Sequence, residues 1–237
     1  MKKSAIAFLV VALVAVCGIS AHADTITQVK EFDGTPDYTK TLTFDEFDDL
    51  GGTLVLDSVE VIMDMEASGG QYILDNDGED PATGSFQFGA DGAISSTDVP
   101  LLDSSFQPVI AQLVAADGDT FNLDGNVGDG PGDYDPTPPD GMQYDGGTES
   151  DSDSGFIGSA FHASFIGTGS FEVDVDAGQY STFGGVSGIE YAVTPVTTEG
   201  TVTIIYNSHL VPEPTTFLML ATGALGLLAC AWRRRRR

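Results

Sequence analysis

The residues best suited to chemistry are the carboxylates of one short acidic turn, Asp75-Asn76-Asp77-Gly78-Glu79-Asp80. Hard cations such as calcium take several oxygen ligands at once. The hexapeptide supplies four carboxylates, an amide and a glycine that permits a tight turn, but its spacing does not match an EF-hand loop. A solvated turn without a cofactor is therefore the simpler interpretation. If a metal binds, we predict calcium on Asp75, Asp77, Glu79 and Asp80.

Groups for other kinds of catalysis are scarce. Between residues 24 and 210 there is no cysteine, and the histidines are His162 and His209. The missing cysteines exclude zinc sites of the Cys/His type. Gly185-Val186-Ser187-Gly188-Ile189 lacks the second flanking glycine of a nucleophile elbow. We predict that the protein is not an enzyme; the alternative is a glycan hydrolase with an Asp/Glu pair, which would assemble only in three dimensions.

Aromatic side chains suggest a third kind of site, a glycan-binding surface. Aromatic residues in strands usually pack in a core, because each ring buries a large apolar area. The only tryptophan, Trp232, lies close to the C-terminus and is remote from the strand pattern. A calcium-dependent carbohydrate-binding module is therefore an alternative function, with these tyrosines as its candidate surface: Tyr72, Tyr134, Tyr144, Tyr180 and Tyr191.

The elements that position these residues are short strands. Polar and bulky residues alternate over 38–44 and again over 59–66, with the period of two that a half-buried strand shows. Further strand-like runs lie at 156–166, 170–175 and 201–206, separated by turns rich in Gly and Asp. This pattern predicts an all-β fold, an antiparallel β-sandwich that occupies residues 24–210.

One part of this domain differs in composition from the rest. Residues 117–154 contain ten aspartates, many glycines and four prolines, with few apolar residues between them. Such a segment buries too little apolar surface to belong to a core. We predict a long acidic surface loop over 117–154.

The N-terminus has the organisation of a signal peptide. Lys2 and Lys3 precede an apolar run at 4–16, and Ala21-His22-Ala23 follows with small residues at both required positions. Signal peptidase is expected to recognise Ala21 and Ala23 and to cleave before Asp24, which defines residues 1–23 as the signal peptide. A retained N-terminal anchor helix is the alternative.

The C-terminus carries three parts in a fixed order. Pro212-Glu213-Pro214 is followed by 18 uncharged residues at 215–232, and these by five arginines. Eighteen residues are close to the roughly 20 that a membrane-spanning helix needs. The arginines would stay in the cytoplasm by the positive-inside rule. We predict a single transmembrane helix at 215–232, with the β domain exported across the cytoplasmic membrane.

This order of parts resembles the PEP-CTERM sorting signal over residues 211–237. The resemblance implies that exosortase, a membrane enzyme of bacteria that make extracellular polysaccharide, processes the chain close to this motif. Pro212, Glu213 and Pro214 would be its recognition residues, and the mature domain would reach the cell surface or the medium. A permanent single-pass anchor is the alternative.

The domain itself is similar to the choice-of-anchor E domain, a bacterial surface domain. The resemblance rests on several short stretches, namely 38–44, Phe47-Asp48, 50–54, 59–61, 167–171 and 200–206. It implies an extracellular β domain and gives no activity.

Charge limits the partners of the domain. Of the 36 acidic residues only Glu213 lies outside 24–210, so 35 acids face two lysines there and the formal charge is about −33. Such a surface repels phosphate backbones, which excludes nucleic acid as a partner. Together these features predict a non-enzymatic exported surface or extracellular-matrix protein, linked to exopolysaccharide or biofilm.

Overall fold

The computed structural model describes residues 23–128, 132, 134–185, 187–211 and 214–235. In this part of the chain, strands account for most of the regular structure. One 3₁₀ helix spans Ser159–Phe165, and one α-helix, α1, spans Pro214–Arg235. The strands are β1 Ala23–Gly34, β2 Tyr38–Asp45, β3 Leu54–Ser68, β4 Gln71–Asn76, β5 Ala82–Ser95, β6 Leu113–Leu123, β7 Gly141–Asp145, β8 Thr148–Phe156, β9 Ser170–Gly184, β10 Ile189–Thr194 and β11 Thr197–Leu210.

The strands form three sheets. Sheet A has the order β1-β11-β3-β8, sheet B has β10-β4-β7, and sheet C has β2-β9-β5-β6. The pairs β3/β8, β4/β7, β4/β10, β2/β9, β5/β9 and β5/β6 are all antiparallel. The predicted all-β class with antiparallel sheets is confirmed.

Alternation along the strands builds the core, as strand β3 illustrates. Val61, Met63 and Met65 are buried, while Asp64 and Glu66 between and beside them are half-buried or exposed. Successive side chains of a strand point to opposite faces, so this pattern leaves one apolar face and one polar face. The period of two in the sequence predicted this arrangement.

Contacts between facing sheets agree with a sandwich-like packing. On β5 of sheet C, a Cβ added to Gly92 would lie 2.7 Å from the sulfur of Met65 in sheet A. On the same strand, Phe86 stacks on Tyr72 of sheet B, with 4.4 Å between ring centroids. Strand β5 of sheet C therefore lies close to side chains of both other sheets.

The prediction of a loop over 117–154 is wrong for much of that segment. Strand β6 continues to Leu123, and β7 and β8 follow at Gly141–Asp145 and Thr148–Phe156. Alternating Asp and Ser residues give β8 no apolar face, so the sequence shows no strand period there. Its backbone nevertheless pairs with β3 from Glu60 to Ser68. Among the described residues of this segment, irregular backbone lies in the connection from β6 to β7 and at Gly146-Gly147 between β7 and β8.

A second correction concerns the strand expected over 156–166. Only Phe156 belongs to a strand, because the backbone turns into the 3₁₀ helix at Ser159. His162 lies on this helix. Apolar runs of this length do not distinguish a strand from a short helix by their period alone.

The chain divides into two compact units. The larger unit comprises Thr25–Asp48 and Ser58–Tyr206 and holds most of the three sheets. The smaller unit includes Asp49–Asp57 and Asn207–Arg237. Within the smaller unit, the Val211 N–H donates to the Thr53 carbonyl at 2.9 Å.

Helix α1 forms where the uncharged run predicted a helix. Among the residues that the structure describes, no helix is both long enough and apolar enough to cross a membrane. The prediction of a helix is thus confirmed, whereas a membrane span at 215–232 stays a prediction.

Candidate functional site

Two acidic segments come together where strands β4, β7 and β10 of sheet B end or begin, on one side of the sheet. In the ladder, Asp75 of β4 lies between Gly141 of β7 and Glu190 of β10. The Asn76 N–H donates to the Asp140 carbonyl at 3.0 Å, which joins the end of β4 to the residue before β7. The turn after β4 and the connection from β6 to β7 therefore form one polar cluster.

Asn76 lies at the centre of this cluster and is 1% exposed. Its Nδ2 donates to the carbonyl oxygens of Asp80 at 3.0 Å and Asp124 at 2.6 Å. Its Oδ1 accepts the Gly78 N–H at 3.0 Å. One buried amide thus connects the turn to the β6–β7 connection, a role that the sequence did not single out.

The carboxylates of the cluster accept hydrogen bonds from backbone and side-chain amide groups. Asp75 is fully buried, and its Oδ2 accepts the Asp135 N–H at 3.1 Å. Asp77 Oδ1 accepts from the Asn126 side chain at 3.2 Å. Asp140 is 6% exposed, and its Oδ2 accepts the Val127 N–H at 2.5 Å. These bonds tie Asn126, Val127 and Asp135 of the β6–β7 connection to the cluster.

The four predicted calcium ligands do not share one environment. Asp75 is buried, Asp77 is half-buried, and Glu79 and Asp80 are exposed. In the described part of the chain, no three or more His, Cys, Asp or Glu side chains are grouped so that they could hold one metal ion. Calcium binding at this turn stays a prediction.

The candidate glycan-binding tyrosines have unequal environments. Tyr72 is buried, Tyr144 and Tyr180 are half-buried, and Tyr134 and Tyr191 are 42% and 46% exposed. The Tyr144 hydroxyl donates to Asp117 at 3.0 Å. Burial and this hydrogen bond raise the pKa of Tyr144. Burial acts upward on the pKa of Asp117 too, but bonds from Gly147, Gly118 and Tyr144 outweigh it and lower that pKa.

Tyr72 and Tyr191 belong to a stack of aromatic rings rather than to an open platform. The centroid distances from Phe121 to Phe183, Phe183 to Tyr191, Tyr191 to Tyr72 and Tyr72 to Phe86 are 5.7, 5.2, 5.6 and 4.4 Å, and no interplanar angle exceeds 22°. Inner rings of such a stack have protein rings on both faces. The exposed part of Tyr191 is thus poorly placed to stack on a sugar.

Tyr72 also carries a buried hydroxyl. The residue is 0% exposed, and within the described residues its hydroxyl has no hydrogen-bond partner. Burial, followed by the proximity of Tyr191, raises its pKa from 10.0 to about 12. A buried hydroxyl without a partner lowers stability, because its hydration is lost on folding.

We therefore expect Tyr72→Phe to increase the free energy of unfolding by about 1 kcal/mol at neutral pH. Urea unfolding of both proteins would measure the change. Tyr144→Phe is the matched control, because its hydroxyl has Asp117 as a partner and its loss should destabilise the protein. A clear loss of stability in Tyr72→Phe would contradict the assignment.

The same substitution should change how steeply the free energy of unfolding falls at alkaline pH. Folded Tyr72 holds its proton to about pH 12, whereas the unfolded side chain ionises near 10.0. The stability from this raised pKa is complete below the unfolded value and is lost as the pH rises through the folded value. Between these pH values we expect Tyr72→Phe to lose less stability than the parent, as measured by urea unfolding.

His162, His209 and Ser187, which were considered for catalysis, lie in hydrogen-bonded parts of the fold. His162 Nε2 lies 3.2 Å from the Ile157 carbonyl, and His209 Nδ1 lies 2.8 Å from both carboxylate oxygens of Asp57. Ser187 lies in a turn where the adjacent Gly188 carbonyl accepts the Asp77 N–H at 2.9 Å.

The predicted processing residues lie mostly outside the described part of the chain. Ala21, Pro212 and Glu213 are outside it, while Ala23 begins β1 and Pro214 begins α1. Helix α1 has Arg233, Arg234 and Arg235 in its last turn. The C-terminal end of an α-helix carries a partial negative charge, so positively charged side chains are favourable there.

Comparison with known families identifies the C-terminal segment. Residues 210–236 match the PEP-CTERM protein-sorting motif. The resemblance drawn from the order of Pro-Glu-Pro, apolar run and arginines is confirmed, whereas the resemblance to a choice-of-anchor E domain is not supported by a match. A search of curated proteins found no match.

Solved structures similar to this chain include viral coat proteins. The infectious bursal disease virus VP2 subviral particle is 13% identical, with 92% of this chain and 50% of that chain covered, at a TM-score of 0.19. Turnip yellow mosaic virus at 100 K is 10% identical, with 82% and 99% covered, at a TM-score of 0.15. This chain thus spans half of the VP2 chain. TM-scores this low give no basis for assigning a shared fold or function.

Proposed function

We propose that this protein is a non-enzymatic surface or extracellular-matrix protein whose β domain is exported and released from its C-terminal segment by exosortase. The motif at residues 210–236 carries the proposal, because it implies exosortase-dependent sorting to the cell surface or the medium. The segment 215–232 would lie in the membrane until processing. We also propose that the domain associates with the extracellular polysaccharide of the cell that produces it.

The contacts of His162 and His209 bear on one kind of catalysis, in which a histidine activates a serine or threonine nucleophile. His162 and His209 face a backbone carbonyl and a carboxylate, respectively. A general base needs to lie within hydrogen-bond reach of the group that it deprotonates. Neither contact joins a histidine to a serine or threonine hydroxyl.

The sorting step has a direct test in the mass of the exported protein. In cells that contain exosortase, we expect a product that begins at Asp24 and lacks the segment after the Pro-Glu-Pro motif. Glu213→Ala should abolish C-terminal processing and leave the full tail on the chain, because it removes the one charge between the two prolines. Intact-mass spectrometry reads both ends in one measurement.

A matched control for this test is Glu199→Ala. Glu199 is exposed on β11 and lies outside the matched segment, so its loss should leave processing unchanged. A strain without exosortase should also give the unprocessed parent chain, which is heavier than unprocessed Glu213→Ala by the mass difference between glutamate and alanine. An arginine tail on the product of exosortase-positive cells would contradict the proposed function.

A further inference from the structure

A tightly braced loop projects one aromatic side chain from the larger unit. The loop is closed by a β-bridge between Leu102 and Pro108 and by the Asp103 N–H, which donates to the Gln107 carbonyl at 2.8 Å. Asp103 Oδ1 also accepts the N–H groups of Ser105 at 2.7 Å and Gln107 at 2.9 Å. Asp103 thus fixes the loop from inside and leaves Phe106 at the tip.

Phe106 has an unfavourable conformation and an unfavourable environment. It is 66% exposed, and its φ of 62° lies in the left-handed region. A residue other than glycine loses about 1–2 kcal/mol there. The side chain gains little burial in return: it stays 66% exposed although Phe161 meets it edge-on, with 5.4 Å between ring centroids and 88° between ring planes. Outliers of this kind cluster at ligand-binding positions.

We propose that Phe106 is the centre of a binding site for a neutral polysaccharide. A pyranose ring presents an apolar C–H face, which stacks on an exposed aromatic ring, and hydroxyl groups at its rim. Ser104, Ser105 and Gln107 are exposed beside Phe106 and supply hydroxyl and amide groups for that rim. This inference deepens the proposed function, since it assigns the ligand class to a particular loop.

Size and charge favour this ligand over the alternatives. A stable protein interface buries about 800 Å² on each partner, whereas one aromatic side chain offers about 200 Å². The domain's charge of about −33 repels a second copy, an anionic polysaccharide and an anionic membrane. A neutral glycan chain requires only a small contact per sugar and is not repelled.

Phe106→Gly separates a binding role from a structural one. Glycine adopts φ of 62° without strain, so this variant should keep or increase the free energy of unfolding while it lacks the ring. Phe156→Ala is the matched control, because Phe156 is 57% exposed on β8. Phe106→Tyr keeps an aromatic ring and should retain binding.

Affinity electrophoresis of the full-length chain, in a polyoxyethylene detergent free of sugar groups, tests the proposal. Gels would contain dextran or xyloglucan as neutral probes and alginate as the anionic probe; phosphatidylcholine vesicles would test membrane binding by sedimentation. We expect retardation by a neutral polysaccharide and a loss of affinity of about tenfold or more in Phe106→Gly.

Three outcomes would overturn the site: no retardation by either neutral polysaccharide, binding only to alginate or vesicles, or equal affinity in Phe106→Gly and the parent. None of them bears on C-terminal processing, which is measured by mass. Failure of this site and failure of the sorting hypothesis are therefore distinguishable.

Discussion

Asn76→Asp should lower the free energy of unfolding by about 4 kcal/mol at neutral pH, although the side chain keeps its shape. The change removes both N–H groups that donate to the carbonyl oxygens of Asp80 and Asp124. It also places a negative charge against those two oxygens at a position that is 1% exposed. Only the Gly78 N–H would remain as a donor to the new carboxylate, and a buried charge with so little compensation is among the most destabilising single changes.

This penalty should decrease in acid. Burial raises the pKa of the new carboxyl group in the folded state, so the charge penalty is absent below the unfolded value near 3.9, grows as the pH rises above it, and is complete only above the raised folded value. As the pH falls, the protonated group regains one donor and loses its charge. Chemical unfolding of the variant and the parent at each pH gives the difference directly.

Asn122→Asp provides the control for charge alone. Asn122 lies on β6 and is exposed, so the same substitution should change stability by no more than about 0.5 kcal/mol. If both variants lost stability equally, general repulsion in an acidic domain would be the cause. That result would contradict the assigned role of Asn76.

Gly89→Ala should destabilise the protein by about 3 kcal/mol. Gly89 is buried on β5 and lies opposite Ala116 on β6. A Cβ at this position would collide with the Ala115 carbonyl oxygen and would lie 2.7 Å from the Ala116 Cα. Both atoms belong to the backbone, so relief requires β6 to move away from β5 and weakens the ladder between them.

Gly184→Ala is the matched control in the same sheet. Its new methyl group would lie 3.3 Å from the Ser85 hydroxyl oxygen, which can rotate away. Alanine also suits a strand better than glycine by about 0.5 kcal/mol, so stability should be unchanged or slightly higher. Thermal unfolding of both variants measures the contrast. Equal melting temperatures would show that β6 tolerates the methyl group at Gly89.

Strands with one apolar face were predictable from the sequence. Along β3 the buried residues Val61, Met63 and Met65 alternate with polar ones, and burial follows that period. Strand β8 was not predictable, because Asp and Ser residues alternate on an edge strand that has no apolar face. Its pairing with β3 satisfies backbone groups, which the side-chain pattern does not reveal.

The acidic turn shows the same difference between what the sequence predicts and what only the fold decides. Composition alone marked Asp75, Asp77, Glu79 and Asp80 as oxygen ligands for a cation. Only the fold shows that Asp75 is buried and bonded to the Asp135 N–H, whereas Glu79 and Asp80 are exposed. Burial depends on which distant segments cover a residue, and this information is not local.

The sequence by itself determined the sorting segment and the charge of the domain, because both depend on residue type and order along the chain. The antiparallel all-β class followed from local periodicity for the same reason. Only the tertiary structure placed Asn76 inside a polar cluster, stacked Tyr72 between Tyr191 and Phe86, and held Phe106 at the tip of a braced loop. The first two features depend on contacts between residues far apart in sequence, and the third depends on hydrogen bonds within residues 102–108. Neither composition nor period records such contacts.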